Sequence, residues 1–264
     1  MKRIFLIALL PCAALAGDFD YRAIGYNIEG GYKPDAELNT VTQYIKQLGP
    51  ADIYALSEVT ISWQHSLAEA ASQLAGAHFH WVATTGAIES TDSLAILYNT
   101  DKFSLIKTLE LNNIKPGKYS RAPLAVLLKD NRTSDTFYFM VNHFDRKHAD
   151  RRQEQARKLN EWAQTSEYPV VAMGDYNFDF EVTTGETNTA FKLFTKDDVF
   201  TWVKPQELIK SGCHEDYNSI LDFAFIANGE ELTASSTIRF PEPEYCMDDS
   251  QRPDHRPIEL MFSL

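Results

Sequence analysis

Cysteine is nearly missing from this chain, with three in 264 residues. Cys12 lies in the first turn of sequence, and Cys213 and Cys246 are too far apart to give zinc-ligand spacing, so a cysteine-based zinc site is excluded. Linkers rich in Gly, Ser or Pro, internal repeats and low-complexity tracts are also missing, which argues for one domain over 17–264. Nothing after the first residues is apolar for long enough to span a bilayer, so stable membrane insertion is not expected. Positive charge is in short supply: 25 Lys and Arg stand against 37 Asp and Glu, a formal net charge of -12. That balance excludes a broad nucleic-acid-coating surface and leaves room only for a local basic groove.

The N-terminus has the pattern of a processing signal. Lys2 and Arg3 precede the apolar stretch Ile4 to Leu10, and Ala14-Leu15-Ala16 offers a small-x-small cleavage site before Gly17. Residues 1–16 are therefore expected to be removed, and the protein to be periplasmic or secreted. Pro11 directly before Cys12 suits a lipid-attachment site poorly. In an oxidising compartment the remaining pair, Cys213 and Cys246, is expected to form a disulfide, the alternative being two buried thiols.

Short β-like runs alternate with helical ones. Strands are expected at Phe19 to Tyr26, Ile53 to Leu56, Phe79 to Thr84, Ser93 to Tyr98, Phe103 to Leu111, Leu124 to Lys129, Thr136 to Asn142, Tyr168 to Met173, Ile220 to Ala227 and Ile258 to Phe262. Helical spacing marks Leu38 to Leu48, Trp63 to Leu74 and Asp150 to Ala163. Strands outnumber helices and several follow one another through tight turns. The pattern predicts two packed mixed sheets flanked by helices, not a doubly wound parallel sheet.

Polar residues stand at the ends of these apolar runs. Val170 to Met173 leads into Gly174-Asp175-Tyr176-Asn177, where alternation predicts that Asp175 and Asn177 point the same way. Asn27 follows one strand, Glu58 another and His143 a third; singly, these read as a turn residue, a solvated carboxylate and a satisfied structural histidine. Asp222 lies inside the run Ile220 to Ala227, where a buried carboxylate needs a partner. Asp254-His255, just before the last strand, offers a carboxylate for a hard cation and an imidazole for protons. His78-x-His80 lacks a third ligand nearby. The basic cluster from Arg146 to Lys158 is interleaved with Asp150 and Glu154, as on a solvated helix face, and Tyr32, Trp63, Trp162 and Trp202 read as packing residues.

Taken together, Gly-Asp-x-Asn and the terminal Asp-His resemble the endonuclease/exonuclease/phosphatase superfamily. The resemblance runs in family order from Asn27 to His255. It implies a four-layer α/β/β/α sandwich and a Mg²⁺- or Mn²⁺-dependent phosphoesterase holding one or two ions. It further implies Glu58 as main metal ligand, assisted by Asn27 and Asp254, and Asp222 as the group orienting His255. Asp175 and Asn177 would position water and phosphate, and His143 would hydrogen-bond a phosphate oxygen. Arg121 would sit near the substrate phosphate. Asp175 and the Asp222-His255 pair both remain candidates for the base. Pro253 stands where the family commonly has Ser. A nuclease acting on DNA or RNA as a monomer is the leading expectation; a phosphatase, a phospholipid or sphingomyelin phosphodiesterase and a non-catalytic binding protein are the alternatives.

Overall fold

The structure, a computed structural model, describes residues 19–30, 34–84, 93–117, 120–247 and 252–264. The signal segment, Cys12 and Tyr32 lie outside the described residues. One six-stranded sheet contains β1 (Tyr21–Asn27), β2 (Ile53–Val59), β3 (Phe79–Ala83), β4 (Ser93–Asn99), β11 (Thr233–Ile238) and β12 (Ile258–Ser263), in the order β11-β12-β1-β2-β4-β3. The other contains β5 (Phe103–Glu110), β6 (Leu124–Asp130), β7 (Thr136–His143), β8 (Val170–Glu181), β9 (Phe200–Trp202) and β10 (Ser219–Ala227), in the order β5-β6-β7-β8-β10-β9. Each sheet is mixed: β1 and β2 run parallel, as do β7 and β8, while the remaining pairs are antiparallel.

Alternation along the strands assigns each residue to a layer. Ala23, Ile53, Ala55, Phe137, Phe139, Val141, Val171 and Met173 point between the sheets. Their neighbours Ile24, Tyr26, Tyr54 and Leu56 point outward, against α1 (Pro34–Leu48) and α2 (Gln64–Ala75). On the far side Met140, Val170, Ala172, Phe223 and Phe225 pack against α3 (Ala149–Gln164) and α4 (Thr189–Phe194). Period-2 strands with two apolar faces thus make three stacked cores, the α/β/β/α sandwich. Burying one such side chain contributes about 1.5–3 kcal/mol, more than the ~1 kcal/mol net of a ladder hydrogen bond, so side-chain packing dominates the sandwich.

Three differences from the sequence reading have local causes. β8 does not stop at Met173 but continues to Glu181, irregular where Asn177 and Asp179 take positive φ of 50° and 51°. The helix expected from Trp63 begins as a 3₁₀ turn, Ile61–Trp63, and becomes α-helical at Gln64. Three short elements, α4, β9 and β11, run for only six, three and six residues, too short to set a period.

Candidate active site

Strand register gathers the polar residues. Parallel pairing of β7 with β8 sets His143 opposite Asp175, and antiparallel pairing of β10 with β8 sets Asp222 opposite Asp175. Asp175 therefore sits centrally between an imidazole and a carboxylate on adjacent strands. Gly174 makes that approach feasible. Its φ is +136°, and a Cβ there would lie 2.1 Å from the Asn142 carbonyl oxygen, so only glycine lets β8 close on β7 at this point. The second sheet contributes Asn27 at the end of β1 and Glu58 in β2, where φ is +54° and the register with β4 shifts.

The distances describe one connected centre. His255 Nδ1 lies 2.8 Å from Asp222 Oδ2, and its Nε2 lies 3.8 Å from Asp175 Oδ2. His143 Nε2 is 3.4 Å from Asp175 Oδ2 and 3.7 Å from Glu58 Oε1. Asn27 Nδ2 donates to Glu58 Oε1 at 3.1 Å and to Asp175 Oδ2 at 3.3 Å, bridging the two sheets. Asn177 donates its backbone N–H to Asp175 Oδ1 at 3.0 Å and its Nδ2 to the Phe144 carbonyl at 3.1 Å. The left-handed φ of Asn177 breaks the simple alternation with Asp175 and turns its amide to brace the loop after β7. Asp254 is different: its side chain is 58% exposed, at the rim, with Oδ1 3.7 Å from His255 Nε2.

Burial sets the protonation states. Burial alone would lower the pKa of His255, but the carboxylates of Asp222 and Asp175 hold it well above the ordinary value. His143 goes the other way: burial, with the positive charges of Arg121, His255 and Arg146, pushes it well below and keeps it neutral. Asp175 is pushed up to about 7 by burial and by the like charges of Asp222 and Glu58, against the pull of His255. Glu29, at the rim, is raised to about 7 by partial burial and by Asp254 and Glu58.

Crowded carboxylates of this kind are what a hard cation relieves. Glu58, Asp254 and Glu29 offer oxygens on one side of the centre; turning the Asn27 carboxamide by a half-rotation would add its Oδ1. Ligand atoms of Asp175, Asp222 and His255 also lie within 4.8 Å of one another. Asp222 Oδ2 already accepts from His255 and from Ser211 Oγ, at 2.7 Å. That trio therefore reads better as a hydrogen-bonded relay than as a cage, and the donor set fits a cation on the Glu58 side.

The structure brings together the catalytic and metal-ligand residues expected from the sequence, and Arg121 bears on them electrostatically. Its charge reaches His143, and its carbonyl accepts from Gln155 Nε2 at 3.4 Å. Two participants had no role assigned from the sequence. Glu29 accepts the Asp254 N–H at 3.0 Å; it lies two residues past Asn27, a spacing that could have flagged it. Ser211 is fully buried and uses its whole hydroxyl, donating to Asp222 Oδ2 and accepting from the N–H groups of Leu221 and Asp222. Nothing in its local sequence marks it. Of the basic cluster, Arg157 and Lys158 pair with Glu161 and Glu154 along α3, and Arg152 caps the Asp145 and Arg146 carbonyls. Cys213 and Cys246 are placed as a bonded pair, Cα–Cα 4.8 Å, and the Cys213 N–H donates to the Asp254 carbonyl at 2.8 Å.

Comparison with solved structures finds the same fold in other proteins. The human Nocturnin catalytic domain superposes with a TM-score of 0.66 at 17% identity, covering 92% of this chain and 94% of that one. A mannosyl-6-phosphatase of Bacteroides thetaiotaomicron gives 0.68 at 16% identity, covering 92% of this chain and 100% of that one. D. rerio TDP2, complexed with a single-strand DNA product, gives 0.70 at 14% identity, covering 92% and 99%. Among curated proteins no sequence matches. At such identities the structural likeness establishes the fold. The family model of the Endonuclease/Exonuclease/phosphatase family matches residues 24–242, stopping short of Asp254 and His255, which join the centre through geometry. With most of its length matched, the chain belongs to the endonuclease/exonuclease/phosphatase family.

Proposed function

We propose that the protein is an exported, divalent-metal-dependent phosphoesterase that hydrolyses nucleic-acid phosphodiesters. The observation that carries this reading is the buried relay Asp222–His255, 2.8 Å long, with Asp175 on its far side and Glu58 beyond. A phosphodiester repels nucleophiles, and a divalent ion bound by Glu58 with Asn27 and Asp254 would neutralise charge on the phosphate and its leaving oxygen. Asp175, raised to about 7, has the basicity to take a proton from water near neutral pH. The Asn177 N–H fixes one of its oxygens and leaves the other turned toward His143 and His255. His255, kept protonated by its carboxylates, donates to a phosphate oxygen; neutral His143 adds a second donor without a competing charge. Asp222 and Ser211 hold the imidazole in place. Export rests on residues 1–16, and the Cys213–Cys246 pair supports an oxidising compartment.

The deciding measurement is hydrolysis of DNA, RNA, a sugar phosphate, sphingomyelin and bis-nitrophenyl phosphate with Mg²⁺ or Mn²⁺, each repeated in EDTA. Oligonucleotide cleavage that EDTA abolishes is expected. Metal-dependent turnover of the sugar phosphate or the lipid alone would overturn the nuclease assignment, and turnover of nothing would overturn the enzyme assignment.

A further inference from the structure

Directly beside His255 lies a cavity of about 370 Å³ that the hydrolytic residues do not fill. Its floor is Leu221, and its walls come from Gly212, His214, Tyr217, Ser219 and Arg146. Tyr217 is 57% exposed, one of few large apolar side chains left so among the described residues. Its ring sits 5.0 Å from that of His214, tilted by 45°.

The loop that carries this ring is held on both sides. Lys210 Nζ donates to the carbonyls of His214 and Tyr217, at 3.0 and 3.4 Å. Asn218 donates to Thr183 Oγ1 at 3.1 Å, and its carbonyl accepts the Val182 N–H at 2.9 Å. Cys213 anchors the near end through Cys246 and the Asp254 carbonyl. Gly212 lets its wall close on Leu221, since a Cβ there would meet Leu221 Cδ1 at 2.8 Å. An exposed ring on a fixed loop is a preorganised apolar face, which loses little entropy on binding.

Polar groups ring that face. The Arg146 guanidinium makes no hydrogen bond or ion pair among the described residues and lines the cavity. Asp179 lies at the rim, with one oxygen accepting from Asn188 Nδ2 at 2.8 Å. His255 lines the cavity, so a group held there lies next to the phosphate that His255 is proposed to contact. The volume is at the small end for ligand pockets, room for one ring system and a sugar.

We propose that this cavity is a base-binding subsite that takes one unpaired nucleoside next to the scissile phosphate. The base stacks on Tyr217 over Leu221, and Arg146 contacts the neighbouring phosphate. A base in a duplex is stacked and paired and cannot enter without being extruded, so the substrate class is single-stranded nucleic acid or an unpaired terminus. This rests on the nuclease reading above.

The test uses the full protein with Mn²⁺ or Mg²⁺ and two single-stranded oligonucleotides, one normal and one with abasic units around the cleavage position. Wild-type protein is expected to favour the base-bearing strand by roughly ten- to a hundredfold in kcat/KM, as stacking energies imply. In Tyr217→Ala that ratio falls to near one, chiefly through KM on the normal strand, while Tyr217→Phe keeps it. Equal cleavage of both strands by wild-type protein, or a preference that survives Tyr217→Ala, would overturn the subsite and leave the nuclease reading standing. If neither strand is cut but duplex DNA is, the subsite falls and the nuclease reading stands; if no nucleic acid is cut, both fall.

Discussion

At the residue scale the centre works by sharing polar atoms between neighbours. Asp222 Oδ2 accepts both His255 Nδ1 and Ser211 Oγ, so the imidazole is gripped by a carboxylate that is itself gripped. His255→Ala and Glu58→Ala are expected to lower kcat by about 10²–10⁴ with the fold intact by circular dichroism. Wild-type-like turnover in His255→Ala would sink its assignment. Ser211 acts through Asp222, as a positioning residue. Loss of a hydrogen bond to a charged group costs about 1.5–3 kcal/mol, so Ser211→Ala should lower kcat about tenfold or more with KM little changed. An equal rise in KM, or a drop in kcat matched by loss of folded protein, would assign Ser211 to structure alone. Asp222 and His255 were legible in the sequence because one interrupts an apolar run and the other stands at a strand boundary. Ser211 was not, since a buried hydroxyl in a polar loop has the same local sequence as a solvated one.

At the element scale, position depends on backbone geometry that sequence patterns only partly encode. The sheets were legible because strands such as β7 and β10 carry apolar residues on both faces along most of their length, Phe137 to Val141 and Phe223 to Ala227. β9 and β11 were not: three residues, or a row of Thr, Ala and Ser, carry too little period to separate strand from loop. Gly174 is the backbone position on which the centre turns. Gly174→Ala would force a positive φ and an overlap with the Asn142 carbonyl, and is expected to cost about 3 kcal/mol or more. Urea unfolding checks this; an unchanged midpoint would mean that β8 does not close on β7 as described. The Cys213–Cys246 link ties the loop before β10 to the turn before Asp254, across 33 residues. A chain without residues 1–16, and so without Cys12, should therefore show no free thiol by chemical titration and two after reduction under denaturing conditions. Cys213→Ser should cost about 2–4 kcal/mol of stability. Two free thiols in the untreated protein would assign the pair to the reduced state.

At the scale of the whole molecule, an acidic protein concentrates more acid at the one place where two sheets converge. Asp175 and Glu29 rise from 3.8 and 4.5 to about 7, so between those values the folded protein holds protons that the unfolded chain has released. Stability without metal then falls as pH rises through that window. His255, raised above 6.5, extends the same sign to higher pH, while His143, lowered below 6.5, opposes it on the acid side. A divalent ion reverses the cost, because its ligands must be deprotonated and their mutual repulsion becomes attraction to the cation. The rise in melting temperature on adding Mg²⁺ or Mn²⁺ should accordingly be larger at pH 8 than at pH 5, and Glu58→Ala should lose most of it at pH 8. Differential scanning fluorimetry in matched buffers, with EDTA as the zero, measures both. An equal rise at the two pH values, or one that persists in Glu58→Ala, would place the cation away from these carboxylates and remove the electrostatic basis for metal-assisted hydrolysis at this centre.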